Sequence, residues 1–159
     1  MAIQEGDRVP EATLHYMVDG KPAAVSTSEI FDGKKVVMFA VPGAFTPTCS
    51  MAHLPGYVVN ADAIKAKGVD SIVCLAVNDA FVMDAWGQAK NAEHLMMLGD
   101  GNGALTAAMG LEMDGSGFGM GSRSQRYAMI VEDGTVQKLA VEAPGKLEVS
   151  AAEAILEAL

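Results

Sequence analysis

The chain has 159 residues, of which 50% are hydrophobic, 19% charged and 6% aromatic. That is enough to bury about two-thirds of the unfolded surface, so residues 1–159 are expected to form one domain needing no disulfide or metal support. Lys plus Arg number 11 against 20 Asp plus Glu, a formal net charge of −9; this opposes binding to phosphate backbones and anionic lipid, so neither nucleic acid nor membrane is expected as a partner.

No apolar run approaches the roughly 18 to 20 residues of a bilayer-spanning helix. Glu5, Asp7 and Arg8 put charge where a secretory signal would be apolar. The 2 cysteines, Cys49 and Cys74, form no C-x-x-C motif. That usage suits a reducing compartment, and the cytoplasm is the expected location.

In chain order, Lys35–Val41 and Ser71–Val77 are short apolar runs with β-branched residues, which predict central parallel strands buried on both faces. Between them Cys49–Lys67 has helical spacing, kinked or split in two at Pro55-Gly56. A βαβ unit results. A helix is predicted over Ala80–Lys90, a short apolar run follows at Leu95–Leu98, and a further helical segment lies at Ala104–Met109. Tyr127–Glu132 and Thr135–Val141 flank Asp133-Gly134, the dipeptide of a type I′ turn, and predict a hairpin. Ser150 with Glu153 has the spacing of a capping box, opening a C-terminal helix whose Ile155, Leu156 and Leu159 face the sheet. The fold class is α/β, with a mixed central sheet flanked by helices.

The stretch Val41 to Ser50 places Cys49 where a buried strand has ended and a helix begins. There, free N–H groups and the helix dipole favour a thiolate. An ordinary thiol has a pKa near 8.5, and lowering it by about 2 to 3 units needs roughly 3 to 4 kcal/mol. The dipole supplies less than about 2 kcal/mol, so a cation or several hydrogen bonds must be added. Arg126 opens a strand and can point into a site; alternatively Arg123 and Arg126 both belong to a solvated loop. A lone cysteine is more often a small core residue than a nucleophile. Cys49, among Thr, Pro and Ser at an element boundary, departs from that pattern, whereas Cys74 between Val73 and Leu75 fits it.

His53 lies one helical turn after Cys49, a spacing compatible with a metal pair or a thiolate–imidazolium pair. Nothing nearby completes a zinc site. A Cys–His hydrolase lacks an evident orienting partner for the ring. Gly115 to Gly121 neither follows a first strand nor opens a helix, so a flexible loop that lets the chain pass close to Cys49 is expected rather than a nucleotide-binding one. The 11 methionines are read as core filler.

Taken together, Pro42, Gly43, Ala44, Phe45, Thr46, Pro47 and Cys49 closely resemble the active-site motif of the peroxiredoxins. With His53-Leu54-Pro55-Gly56, Val77 to Val82, Trp86-Gly87, and Arg126-Tyr127 before a strand ending at Asp133-Gly134, the chain resembles the peroxiredoxin-5 or type-II group over nearly its whole length. The resemblance implies a thioredoxin-like fold and a thiol peroxidase that reduces hydrogen peroxide and alkyl hydroperoxides without a bound cofactor or metal. Cys49 matches the peroxidatic cysteine, which becomes a sulfenic acid; Thr46 matches the peroxide-holding threonine, Pro42 the shielding proline and Arg126 the arginine. That mechanism requires a sulfur that is not sealed in the interior and a guanidinium that reaches it.

Some relatives resolve the sulfenic acid with a cysteine near the C-terminus, but Gly145 to Ser150 contains none. A one-cysteine cycle is therefore expected, with an external thiol as reductant: glutathione with glutaredoxin, or thioredoxin. The resemblance also implies a homodimer, to which Phe45, Phe81 and Trp86 contribute unless they are ordinary core. The alternative function is a thioredoxin-fold binding or chaperone module without peroxidase turnover.

Overall fold

A computed structural model describes residues 2–159. Its elements are β1 (Thr13–Val18), β2 (Lys21–Ser26), α1 (Thr27–Phe31), β3 (Lys35–Ala40), a π-helical turn (Cys49–His53), α2 (Leu54–Lys65), β4 (Ser71–Ala76), α3 (Ala80–Ala89), β5 (Met96–Gly99), α4 (Ala104–Ala108), β6 (Glu112–Asp114), a 3₁₀ turn (Ser116–Phe118), β7 (Ser122–Ser124), β8 (Tyr127–Glu132), β9 (Thr135–Val141) and α5 (Ala152–Ala158). A seven-stranded sheet has the order β2-β1-β5-β4-β3-β8-β9, and β6 and β7 form a separate ribbon. The strands β3, β4 and β5 are mutually parallel; the flanking pairs are antiparallel. This is the mixed sheet of a thioredoxin-like fold.

Alternation along the central strands divides the core in two. Val37, Phe39, Ile72, Cys74, Ala128 and Ile130 face α2, α3 and α5, whereas Val36, Met38, Val73, Leu75, Met129 and Val131 face α1 and α4. Strands covered on both faces must be apolar at every position, which is why β3 and β4 read as continuous hydrophobic runs. Each fully buried Val, Leu, Ile or Phe stabilises the fold by about 1.5–3 kcal/mol. On α2, Leu54, Tyr57, Ala61 and Ile64 are buried at helical spacing, and Tyr57 stacks on Phe39 with ring centroids 3.9 Å apart.

The β8–β9 hairpin turns at Asp133 and Gly134, both with positive φ (48° and 78°), the backbone that a type I′ turn requires. The helix predicted from Cys49 is indeed split in two. The division falls at His53–Leu54, where the Leu54 N–H reaches back to the Cys49 carbonyl, and Pro55 sits in the first turn of α2, where its missing N–H costs nothing.

The expected capping box does not form. Ala151 occupies the position before α5, without a side-chain cap, and the Ser150 hydroxyl donates instead to Glu142. Ile155 is buried, and Leu156 and Leu159 pack partly buried against the same core cluster. The glycine-rich segment is organised by the β6–β7 ribbon and the 3₁₀ turn rather than being a featureless loop. It does approach the segment before Cys49: a Cβ on Gly43 would lie 3.0 Å from the Arg123 guanidinium and 3.2 Å from Met120 Cε.

Candidate active site

The site begins where β3 ends. Val41 still pairs with β4 through its N–H on the Leu75 carbonyl, and the chain then turns through Pro42 to Thr46. Phe45 takes φ 64°, left-handed backbone that costs a non-glycine residue about 1–3 kcal/mol and persists only where its surroundings enforce it. Two contacts do so: the Ala44 N–H donates to Asn78 Oδ1 (3.0 Å), and the Thr46 hydroxyl donates to the Gly43 carbonyl (2.6 Å). The Thr46 carbonyl then accepts from the Ser50 N–H, starting the helical path. Among the described residues, no backbone carbonyl accepts from the N–H of Thr48 or Cys49. Two donors are thus left beside the sulfur at the helix start.

Arg126 arrives from a distant part of the sequence. Because β8 runs antiparallel to β3 with Tyr127 opposite Ala40, the residue before β8 lies beside the end of β3. Its guanidinium donates one N–H to Cys49 Sγ (3.1 Å) and another to His53 Nδ1 (2.8 Å). Arg123 does not take this place; its Nε donates to the Met120 carbonyl. A planar fork of fixed geometry can hold both acceptors at once, which an ammonium cannot do with the same precision.

His53 has a different role from either sequence reading. Its Nε2 lies 3.0 Å from the Ser150 carbonyl and its Nδ1 faces the guanidinium, so the ring donates through Nε2–H and accepts at Nδ1. Burial lowers its pKa from 6.5 to about 4, Arg126 pushing in the same direction, and the ring is neutral at pH 7. A thiolate–imidazolium pair is thereby replaced by an imidazole that orients the arginine. Both ring nitrogens are occupied, leaving none for a metal. The sequence placed His53 on the right face of the turn but could not show what stood on its far side.

Cys49 is 0% exposed, contrary to the expectation of a sulfur open to solvent. The cover is thin. Arg126 touches the sulfur and is itself only partly buried, and with Pro42 and Thr48 it lines a cavity of about 270 Å³ that also reaches Gln125, Glu142 and Lys146. A concavity of about 740 Å³ lies at Lys65, Gly87, His94 and Met97 and includes none of these residues. Cys74 is fully buried on β4, as its apolar neighbours predict, and burial pushes its thiol pKa up. Trp86 is also fully buried, its indole N–H donating to Ser50 Oγ (2.8 Å), so it is core and not contact surface. Phe45 and Phe81 are exposed.

A cysteine at a helix start with an arginine on its sulfur is an arrangement that can attack an electrophilic oxygen and stabilise the charge that moves. The Redoxin family model matches residues 4–156. The chain is a type-II peroxiredoxin. It is 48% identical to peroxiredoxin-2E-2, chloroplastic, of Oryza sativa subsp. japonica, over 99% of this chain and 72% of that one. It superposes on reduced Prx3 of Vibrio vulnificus in complex with hydrogen peroxide with a TM-score of 0.95 and 59% identity, covering 98% of both chains. Peroxiredoxin 5 of Alvinella pompejana gives 0.86 and 36%, covering 98% of this chain and 96% of that one. As a peroxiredoxin the protein is a thiol-dependent peroxidase, which sets aside a binding module without turnover.

Proposed function

We propose that Cys49 is the peroxidatic residue, with Arg126, Thr46 and Pro42 completing the site. The observation that carries this is the Arg126 N–H on Cys49 Sγ at 3.1 Å. The thiolate attacks the terminal oxygen of hydrogen peroxide or an alkyl hydroperoxide. An S–O bond forms as the O–O bond breaks, and the leaving oxygen departs with the electron pair and takes a proton to become water or alcohol. Cys49 is left as a sulfenic acid. Arg126 stabilises the shifting negative charge, and the free N–H groups of Thr48 and Cys49 can donate to the peroxide oxygens. The Thr46 proton is committed to the Gly43 carbonyl, so its oxygen accepts from the peroxide O–H and holds the substrate in line. Pro42, lining the adjoining cavity without a donor, limits water at the sulfur. Cys49→Ser is expected to abolish peroxide consumption, and a dimedone adduct on Cys49 after one equivalent of peroxide is expected by mass spectrometry. Turnover in the Ser variant eliminates this nucleophile.

For recycling, we propose a one-cysteine cycle with an external thiol, glutathione with glutaredoxin or thioredoxin. Cys74 is fully buried in the central sheet, and a bridge to it would require that sheet to open locally. A Cys49–Cys74 disulfide found during turnover overturns this choice. We propose that residues 1–159 act as one unit in a homodimer, supported by exposed Phe45 and Phe81, and that it works in the cytoplasm, where two free thiols are stable. No helix among the described residues is long and apolar enough to cross a membrane. Cell fractionation tests the location.

A further inference from the structure

Glu142, near the end of the chain, is only 8% exposed, yet neither ion pair among the described residues includes it. A buried carboxylate without a cation must be held by hydrogen bonds, and all of those here converge on Oε2: the Glu148 N–H (2.7 Å), the Ser150 N–H (2.8 Å) and the Ser150 hydroxyl (2.7 Å). Burial opposes its charge, but the bonds from Ser150 and Glu148 outweigh it, and its pKa is lowered. Ser150 is itself fully buried. With its N–H and hydroxyl both fixed on Glu142, its peptide plane is set, and its carbonyl points to the Tyr57 hydroxyl (2.8 Å) and His53 Nε2 (3.0 Å).

That carbonyl decides the histidine tautomer. Facing an acceptor, Nε2 must carry the proton; Nδ1 is then free to accept from Arg126. In the opposite tautomer two N–H groups would confront each other at Nδ1, and two acceptors at Nε2. The other end of the path is held as well, since the Glu142 N–H donates to the Arg126 carbonyl (2.9 Å). One residue therefore grips both the backbone of the arginine and, through Ser150 and His53, its guanidinium. We infer that Glu142 is a positioning residue for the peroxidase, whose carboxylate, by orienting the Ser150 carbonyl, fixes the His53 tautomer and so aims Arg126 at Cys49. The inference rests on the reading of Cys49 and Arg126 given above.

The test compares Glu142→Ala and Glu142→Gln with the wild type and with Arg126→Lys, all at pH 7. Stopped-flow oxidation of Cys49 by hydrogen peroxide gives the rate, and ¹⁵N NMR of His53 gives the tautomer. Misdirecting a charged group by a fraction of its length costs on the order of 10- to 100-fold, and that loss is expected for Glu142→Ala. It should be accompanied by mixing of the His53 tautomers, a signal that a merely structural loss in a folded protein does not produce. Glu142→Gln keeps an acceptor oxygen and should restore most of the rate and the single tautomer. A folded Glu142→Ala protein with wild-type rate and tautomer overturns the inference. Should that variant not fold, Ser150→Ala deletes one donor to the carboxylate; a smaller loss with the same mixing supports the inference, and no change in either overturns it. If Arg126→Lys retains the full rate, the reading of the site fails. If Arg126→Lys is slow but Glu142→Ala is not, only the role of Glu142 fails.

Discussion

Arg126 joins two acceptors of different kinds, a sulfur and a neutral imidazole nitrogen, and its planar fork makes this possible. Lysine offers a point charge on a flexible stem and cannot satisfy both in fixed positions. Arg126→Lys is expected to slow peroxide reduction by about 10²- to 10³-fold, the usual cost of removing one oriented donor from a reacting centre, measured by stopped-flow at saturating reductant. His53 contributes to stability in a pH-dependent way. Its pKa falls from 6.5 to about 4 on folding, so the unfolded chain binds more protons between those values. Stability from this residue is complete above pH 6.5 and is lost as the pH falls toward 4, by roughly 3 kcal/mol in all. Glu142, with a lowered carboxyl pKa, acts in the same sense at more acid pH. Denaturant unfolding at pH 7 and pH 4.5 should show a clear loss at the lower value; equal stabilities would contradict a buried neutral His53.

Between elements, the segment before Cys49 is held by the loop joining β4 to α3 as much as by its own turn. Asn78 lies in that loop and accepts from the Ala44 N–H. The loop in turn packs on Gly99 at the end of β5, where a Cβ would stand 2.6 Å from the Asn78 carbonyl oxygen and 3.0 Å from the Ala80 nitrogen. Those are backbone atoms and cannot swing aside. Gly99→Ala is expected to destabilise the fold by about 1–3 kcal/mol, as overpacking does, and to slow peroxide reduction by displacing Asn78. Urea unfolding and the peroxide rate, read on the same sample, check both effects. The π-helical turn belongs to this scale too, since it joins Cys49 to α2 while keeping His53 within reach of the same guanidinium.

For the whole molecule, the exposed apolar side chains include Phe45 (55%), Met51 (80%), Phe81 (60%) and Phe118 (85%). Their burial against a second copy would drive association, opposed by the repulsion of two chains that each carry −9. Added salt screens that repulsion, so sedimentation should show dimerisation strengthening from 0.01 M to ~0.15 M salt as the screening length falls from about 30 to 8 Å. Phe81→Asp should shift the protein to monomer at micromolar concentration, and an unchanged distribution would place the interface elsewhere.

Much of this was legible in the residues themselves. The apolar runs of β3 and β4 announced buried parallel strands, and Asp133-Gly134 announced a hairpin, because strand period and turn conformation are set by local sterics. Asp19-Gly20 carries the same turn, with φ 51° and 79°, but Lys21 and Pro22 on an exposed edge strand gave β2 no apolar pattern, and the β1–β2 hairpin went unread. The motif around Cys49 likewise marked the boundary at which the proposed nucleophile sits, since a strand ending before a helix start is a local event. What only the tertiary structure decided were contacts between residues far apart in the chain: one arginine fork shared between Cys49 and His53, Ser150 serving Glu142 instead of capping α5, and a cysteine closed from solvent. Sequence spacing places side chains on a face of their own element. Which groups meet across elements depends on sheet register and burial, and these exist only once the whole chain has packed.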